Sequence, residues 1–449
     1  MLISFSVENF LSFKDKATFS MVASREKQHQ ERLVSLQGQK LKLLPIAAIY
    51  GGNASGKTNF CQAISFARHQ IVIGNRPDAR IPVEPFGLSK IYRKKPSGFV
   101  FEILVGEQCF EYGFYLNSKQ VEQEWLVEIL KTTEKDVYRR TGDSIVFRPD
   151  LDKDQFMHFA FKGTRENQLF LTNSVNQKIE EFKPIYEWFR STLLLIAPDT
   201  RFEAFEQFIK DESPLYELMN DALVRLDTGI AKIGGEEIPF DSIPMLPLEL
   251  RNQIKETLAE NKPVRIRLDP NGDRYVVELK EGKICAQKLM SLHIDADNEE
   301  VKFDLRSESD GSLRLIDLLP AFLGMTSERA GTAKVLIIDE LDRSLHTLLT
   351  SQLLKSYLAD CGPETRSQLL ITTHDVLLMD QDLLRRDEMW VAERDTDGSS
   401  ELIAFSDYKE IRSDKDIRKS YLQGRLGGIP KILLKGSLKS ASNMELVNG

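Results

Sequence analysis

The chain is poor in residues that staple or metallate small folds. Its four cysteines, Cys61, Cys109, Cys285 and Cys361, lie far apart in the sequence. That spacing excludes a CxxC redox motif and a zinc knuckle, and reduced cytosolic thiols are the expectation. Long apolar runs are also missing: none approaches the roughly 18 residues that a spanning helix needs. The opening MLISFSVENF has no basic start followed by an apolar stretch, so a signal peptide is not expected. These absences predict a soluble, cytoplasmic protein with no membrane partner. Positive charge is not in excess, since 60 Lys and Arg face 68 Asp and Glu, for a net charge of −8. Coating nucleic acid through overall charge is therefore disfavoured, although a local basic face stays open. Neither an internal repeat nor sustained heptads occur, which excludes a solenoid and a long coiled coil.

What remains is an ordinary globular mixture over 449 residues, with 41% hydrophobic and 29% charged. That length suits two or three domains, or one large domain with an insertion. Apolar clusters at 2–7 and 17–22 predict an opening strand hairpin, and LLPIAAIY at 43–50 predicts a buried strand. Residues 99–148 read as a meander of short strands. Residues 165–225 read as mostly helical, 246–262 as a short helix, and 264–304 as strands joined by the turn DPNGD. Beyond 305 the pattern alternates: helix 312–324, strand 334–338, helix 344–359, strand 368–372, helix 376–385, strand 389–394. Such alternation predicts a largely parallel sheet with helices on its faces. A terminal hairpin at ERDTDGSSELIAF and a disordered tail at 436–449 complete the reading.

The richest stretch is AAIYGGNASGKTNF, residues 47–60. A predicted strand enters Gly51 and a predicted helix leaves from Lys57, the context that gives G-x-x-x-x-G-K-T its physical meaning. Gly51, Asn53, Ala54, Ser55, Gly56 and Asn59 are candidates to cradle phosphates with backbone N–H groups at a helix start. Lys57 would supply charge to the β and γ phosphates, and the Thr58 hydroxyl would bind Mg²⁺. Further on, KVLIIDELDRSLH runs four apolar residues into Asp339 and Glu340. Asp339 fits a second Mg²⁺ ligand. Glu340 fits a base that orients and deprotonates water. In QLLITTHD, His374 follows a strand end and is a candidate γ-phosphate sensor. Ser309, Asp310 and Gly311 open another helix. On local grounds they are equally a plain N-cap or an anion contact.

The order of these features resembles ABC-type ATPases and, more closely, SMC-like or RecF-like bacterial AAA-family ATPases. ESDGSLRL is similar to their signature loop, DELDRSLH to their Walker B and D-loop, and MLISFSVENFLSFKD to their first strand pair. YLQGRLGGIPKI, 421–432, resembles the RloA and AbiL branch found in phage-defence operons. The resemblance covers about residues 1–65 and 300–432. It implies an α/β fold: an ABC-type P-loop NTPase head with a mixed, largely parallel sheet and an antiparallel β lobe. About 250 residues separate Thr58 from Ser309, so a compact α/β insertion replaces a long coiled coil. The implied domains are 1–65 and 301–435 as head halves, 66–300 as a partner-contacting lobe and insertion, and 436–449 as tail.

By the same resemblance the chain is a Mg-dependent ATPase that closes as a homodimer, or a higher oligomer, around ATP. Ser309 of one subunit would cap the phosphate held by Lys57 of the other, with a D-loop around Asp342–Leu345 at the same interface. A Q-loop glutamine is implied as well, with Gln168 and Gln177 as candidates. The implied role is a sensor that controls a separately encoded effector, such as a Toprim- or HNH-type nuclease, in response to nucleic acid or a phage trigger. The alternative is a RecF/SMC-like DNA-repair ATPase. The chain itself is not expected to be a nuclease, because only about 40 residues follow Glu410.

Overall fold

A computed structural model describes residues 1–36, 41–200, 214–259, 264–267, 273–326, 333–408 and 416–428. The expected tail at 436–449 and the last residues of YLQGRLGGIPKI lie outside these residues.

The chain opens with the antiparallel hairpin β1 (Leu2–Glu8) and β2 (Ala17–Ser20). A short pair, β3 (Val34–Ser35) and β4 (Lys42–Leu43), leads to β5 (Ile46–Tyr50) and α1 (Lys57–Val72). The meander is β6 (Ser97–Val105), β7 (Gln108–Leu116), β8 (Val121–Ile129), β9 (Glu134–Thr141) and β10 (Ser144–Phe147). Helices α2 (Gln155–Lys162), α3 (Phe170–Asn176) and α4 (Lys183–Glu187) then carry the chain to β11 (Leu193–Ile196). Next come α5 (Pro214–Arg225), β12 (Lys232–Ile238), α6 (Leu248–Ala259) and β13 (Val264–Arg267). They are followed by β14 (Arg274–Lys280), β15 (Lys283–Ile294) and β16 (Glu300–Asp304). The final part holds α7 (Asp310–Thr326), β17 (Val335–Ile338), α8 (Thr347–Ala359) and β18 (Gln368–Thr372). It ends in β19 (Met389–Arg394), β20 (Ser400–Ala404) and α9 (Ile417–Leu422).

Among the described residues, three larger sheets organise the fold. The central one has the order β11-β17-β18-β5-β19-β20, parallel throughout except for the β19–β20 hairpin. Its inner strands β17, β18 and β5 are short, fully buried runs, mostly apolar, because both faces are covered. Ala47 and Ile49 of β5 join Val335 and Ile337 of β17 in a cluster with Phe5, Phe60, Phe99 and Phe101. The alternate residues, Ile46, Ala48, Leu336 and Ile338, face a second cluster built on Leu315, Ile316 and Leu319 of α7 and Leu354 of α8. Each large apolar side chain so buried contributes roughly 1.5–3 kcal/mol. The second sheet, β10-β9-β8-β7-β6-β1-β2, joins the opening hairpin and the meander into one antiparallel surface. The third, β12-β15-β14-β13 with β16 beside β15, forms the body of the insertion.

Several expectations need correction. The described part of 165–225 is mostly helical as expected, but it also holds β11, which pairs in parallel with β17. The span 66–300 thus contains one strand of the central sheet, and its meander continues the β1 sheet directly. The expected helix 376–385 is one 3₁₀ turn, Val376–Leu378, opened by the Asp375 carboxylate accepting from Leu377 N–H. The helix expected from 344 starts at Thr347, because Ser344 has φ 61 and His346 caps the helix through its ring nitrogen.

Candidate active site

β5 delivers the chain to the phosphate loop at its C-terminal end, and α1 leaves from Gly56. Two glycines there are obligatory. Gly51 has φ 150, and a Cβ on it would stand 2.6 Å from the Ala392 carbonyl oxygen of β19. Gly56 has φ 110, and a Cβ on it would meet Ser400 Oγ of β20 at 2.4 Å. The loop therefore lies flat against β19 and β20 in a conformation closed to other residues.

Lys57 Nζ donates to the carbonyls of Gly51 at 2.7 Å and Gly52 at 3.1 Å, and lies 3.4 Å from His374 Nδ1. Burial lowers its pKa to about 8, against the pull of Asp339 and Asp342. Burial, then the Lys57 charge, also lowers the His374 pKa, so the imidazole is neutral near pH 7. A neutral ring at this position can donate a hydrogen bond without competing with Lys57 for anionic oxygens. Ser55 Oγ is buried with no hydrogen-bond partner among the described residues, close to Gly51 in the loop.

The Asp339 strand is not the immediate neighbour of the phosphate-loop strand. β18 lies between β17 and β5, and this places Thr372 between the two motifs. Its hydroxyl donates to Asp339 Oδ1 and accepts from the Glu340 N–H at 2.8 Å. Glu340 is held at φ 51, a left-handed conformation that costs a non-glycine residue about 1 kcal/mol or more. The backbone turns there, so the consecutive acids take different places: Asp339 is buried and Glu340 half-buried.

Two cavities meet at this corner. The first, about 560 Å³, is lined by residues 53–59, Glu340 and His374. The second, about 460 Å³, is lined by Thr58, Asp339, Glu340 and the segment 195–200. Thr58 and Glu340 border both. Thr58 and Asp339 offer hard oxygen donors within one cavity, a set that fits Mg²⁺. When bound, that ion would neutralise charge on the phosphate oxygens.

Ser309, Asp310 and Gly311 line neither cavity. Ser309 and Asp310 are exposed, and Gly311 packs so close to Ser344 that a Cβ would stand 2.8 Å from its carbonyl oxygen. Gln168 and Gln177 also line neither cavity. The segment after β11, beside Thr58 and Asp339, is Ala197-Pro198-Asp199-Thr200, with no glutamine. Asp199 there pairs with Arg343 at 2.9 Å.

Sequence reasoning missed other contributors. Leu11, Ser12, residues 84–88, Arg394 and Gly398 complete the first cavity. Ser12 Oγ accepts from Asn59 Nδ2 and bonds Ser400 Oγ, both at 2.8 Å, tying three chain segments together at the loop. Gly52 N–H donates to Gly428 O at 2.8 Å, so the YLQGRLGGIPKI stretch folds back onto the phosphate loop.

The family profile described as "AAA domain, putative AbiEii toxin, Type IV TA system" matches residues 46–380, well over half of the chain. The chain belongs to this AAA family. The match begins at the first residue of β5 and spans every motif strand up to β18. The matched AAA domain thus carries the phosphate loop, the Asp339–Glu340 pair and His374. Among solved structures it is similar to an SMC head domain from Thermotoga maritima, with 14% identity, 90% of this chain and 98% of that chain covered, and a TM-score of 0.35. It is also similar to an SMC head bound to the C-winged helix domain of ScpA, with 13% identity, 91% and 99% covered, and a TM-score of 0.41. No curated protein matches the chain.

Proposed function

We propose that the protein hydrolyses MgATP at a site completed by a second copy of the same chain. The observation that carries this reading is the separation of the two halves. Lys57, Glu340 and His374 line one cavity, while the Ser309 loop is exposed and lines neither of the cavities at the phosphate loop. Ser309 Oγ caps its own helix, accepting from Ser312 N–H at 3.1 Å, and such an exposed helix start is a ready anion contact; in this reading its anion is the γ-phosphate on another subunit. Lys57 and the loop N–H groups hold the phosphates. His374 senses the γ-phosphate. Glu340 takes a proton from the attacking water at its carboxylate. Asp339 and Thr58 hold the metal.

In this reading the closed dimer is the active signalling state, and it controls a separately encoded effector in defence against phage. The support is the defence-linked resemblance of YLQGRLGGIPKI and the family description, which names a type IV toxin–antitoxin system.

Complementation tests the composite site. Lys57→Ala and Ser309→Arg chains should each be inactive alone. Mixed, they should recover ATPase activity, because one heterodimer site keeps an intact Lys57 and an intact Ser309. Silence in heterodimers of verified composition would refute capping between subunits.

A further inference from the structure

The insertion sheet continues into the Ser309 loop with almost no slack. β16 pairs antiparallel with β15, Ser291 opposite Phe303 and His293 opposite Val301. Only the 3₁₀ turn Leu305–Ser307 and Glu308 separate β16 from Ser309. The Glu308 side chain turns back onto β15. Its Oε1 accepts from Ser291 Oγ at 2.5 Å and lies 2.7 Å from His293 Nε2, with the carboxylate only 8% exposed. The residue before the loop is thus clamped to the insertion by two hydrogen bonds.

A second grip lies further along α7. Asp317 pairs with Arg274 of β14 at 2.8 Å, both side chains essentially solvent-free. Between the two grips, Arg314 points the other way. Its guanidinium donates to Pro198 O at 3.2 Å and reaches Asp339 O at 3.5 Å. Hydrogen bonds to charged groups in such dry surroundings are stronger than their exposed counterparts. Sheet and Ser309 loop are therefore joined by a short series of buried and part-buried polar contacts. A hinged, solvated linker would not transmit a shift of the sheet, but this connection would.

We propose that the β12–β16 sheet is the control element of the ATPase, and that His293, Ser291 and Arg274 are positioning residues that set the Ser309 loop through Glu308 and Asp317. A ligand or partner that shifts this sheet alters the cap presented to the other subunit's phosphate. The proposal rests on the composite-site reading, and its test separates the two. In the Lys57→Ala and Ser309→Arg heterodimer, the working site uses the loop of the Lys57→Ala chain. His293→Ala on that chain should lower kcat about tenfold with little change in KM for ATP. On the Ser309→Arg chain, whose loop serves no working site, it should change kcat by less than about twofold. His293→Gln, which keeps a donor for Glu308, should restore part of the loss. If His293→Ala does not fold, Ser291→Ala placed in the same two ways gives the same contrast. Equal losses on either chain would overturn the positioning role. An inactive parent heterodimer would instead overturn the composite site itself, and the proposal with it.

Discussion

Two buried carboxylates, Glu124 in the meander and Asp339 beside the phosphate loop, show how one chain uses the same group in opposite ways. Glu124 is fully buried and fully satisfied. Its Oε1 accepts from Tyr112 OH at 3.1 Å, Tyr138 OH at 2.9 Å and Leu171 N–H at 2.9 Å. Its Oε2 accepts from Phe170 N–H at 2.6 Å and Arg140 Nη1 at 3.5 Å. This carboxylate ties β7, β8 and β9 to the start of α3, and burial keeps both tyrosines neutral by raising their pKa values well above the usual range. Asp339 accepts from the Thr372 hydroxyl and the Cys61 thiol, and a cavity lies in front of it. Its neighbour Glu340 sits in a strained backbone conformation, and the Ser55 hydroxyl nearby has no partner among the described residues. Saturated polar networks stabilise a fold, whereas unsaturated ones leave capacity for a ligand.

The contrast can be broken at either end. Glu340→Gln should fold normally and bind ATP, yet lose on the order of 10²–10⁴-fold in turnover, as expected when a general base is removed. Wild-type turnover in a phosphate-release assay would remove Glu340 from the mechanism. Glu124→Ala should do the reverse. Removing one partner of a buried charged network costs about 3–5 kcal/mol, visible as a lower urea midpoint, while ATP affinity of the folded fraction stays unchanged. An unchanged midpoint would mean that the meander cluster is not the strut described above.

The smallest effect concerns Lys57. Its pKa, lowered to about 8 by burial, leaves the ammonium mostly charged at neutral pH and increasingly neutral above that value. Phosphate favours the charged form, so binding at about pH 9 should take up a fraction of a proton, and ATP affinity should fall as pH rises through 8. Calorimetry in buffers of different ionisation heat measures the uptake. Affinity independent of pH between about 7 and 9 would contradict the shift.

How much of this was legible in the sequence follows from distance along the chain. β18 and β19 match their predicted limits, because each is an apolar run bounded by polar residues. Asp339, Glu340 and His374 each lie within two residues of a strand end, and Lys57 at a helix start, that local pattern reveals. β11 was not, since Leu193–Ile196 is four residues long and follows a helical stretch without a turn signal. Only its pairing with β17, more than a hundred residues later, makes it a strand. Ser12, Arg394 and Gly428 reach the loop from three separate segments, a juxtaposition that no local periodicity encodes. Thr372 was visible as a strand residue, but its bridge between Asp339 and Glu340 depends on β18 lying between β17 and β5.

The central claim is that the ATP site is shared between two chains, and sedimentation of Glu340→Gln measures it most directly. With MgATP this variant should shift from monomer to dimer and stay there, while ADP, or the added change Lys57→Ala, should leave it monomeric. A Glu340→Gln chain that binds ATP and still sediments as a monomer would contradict the account.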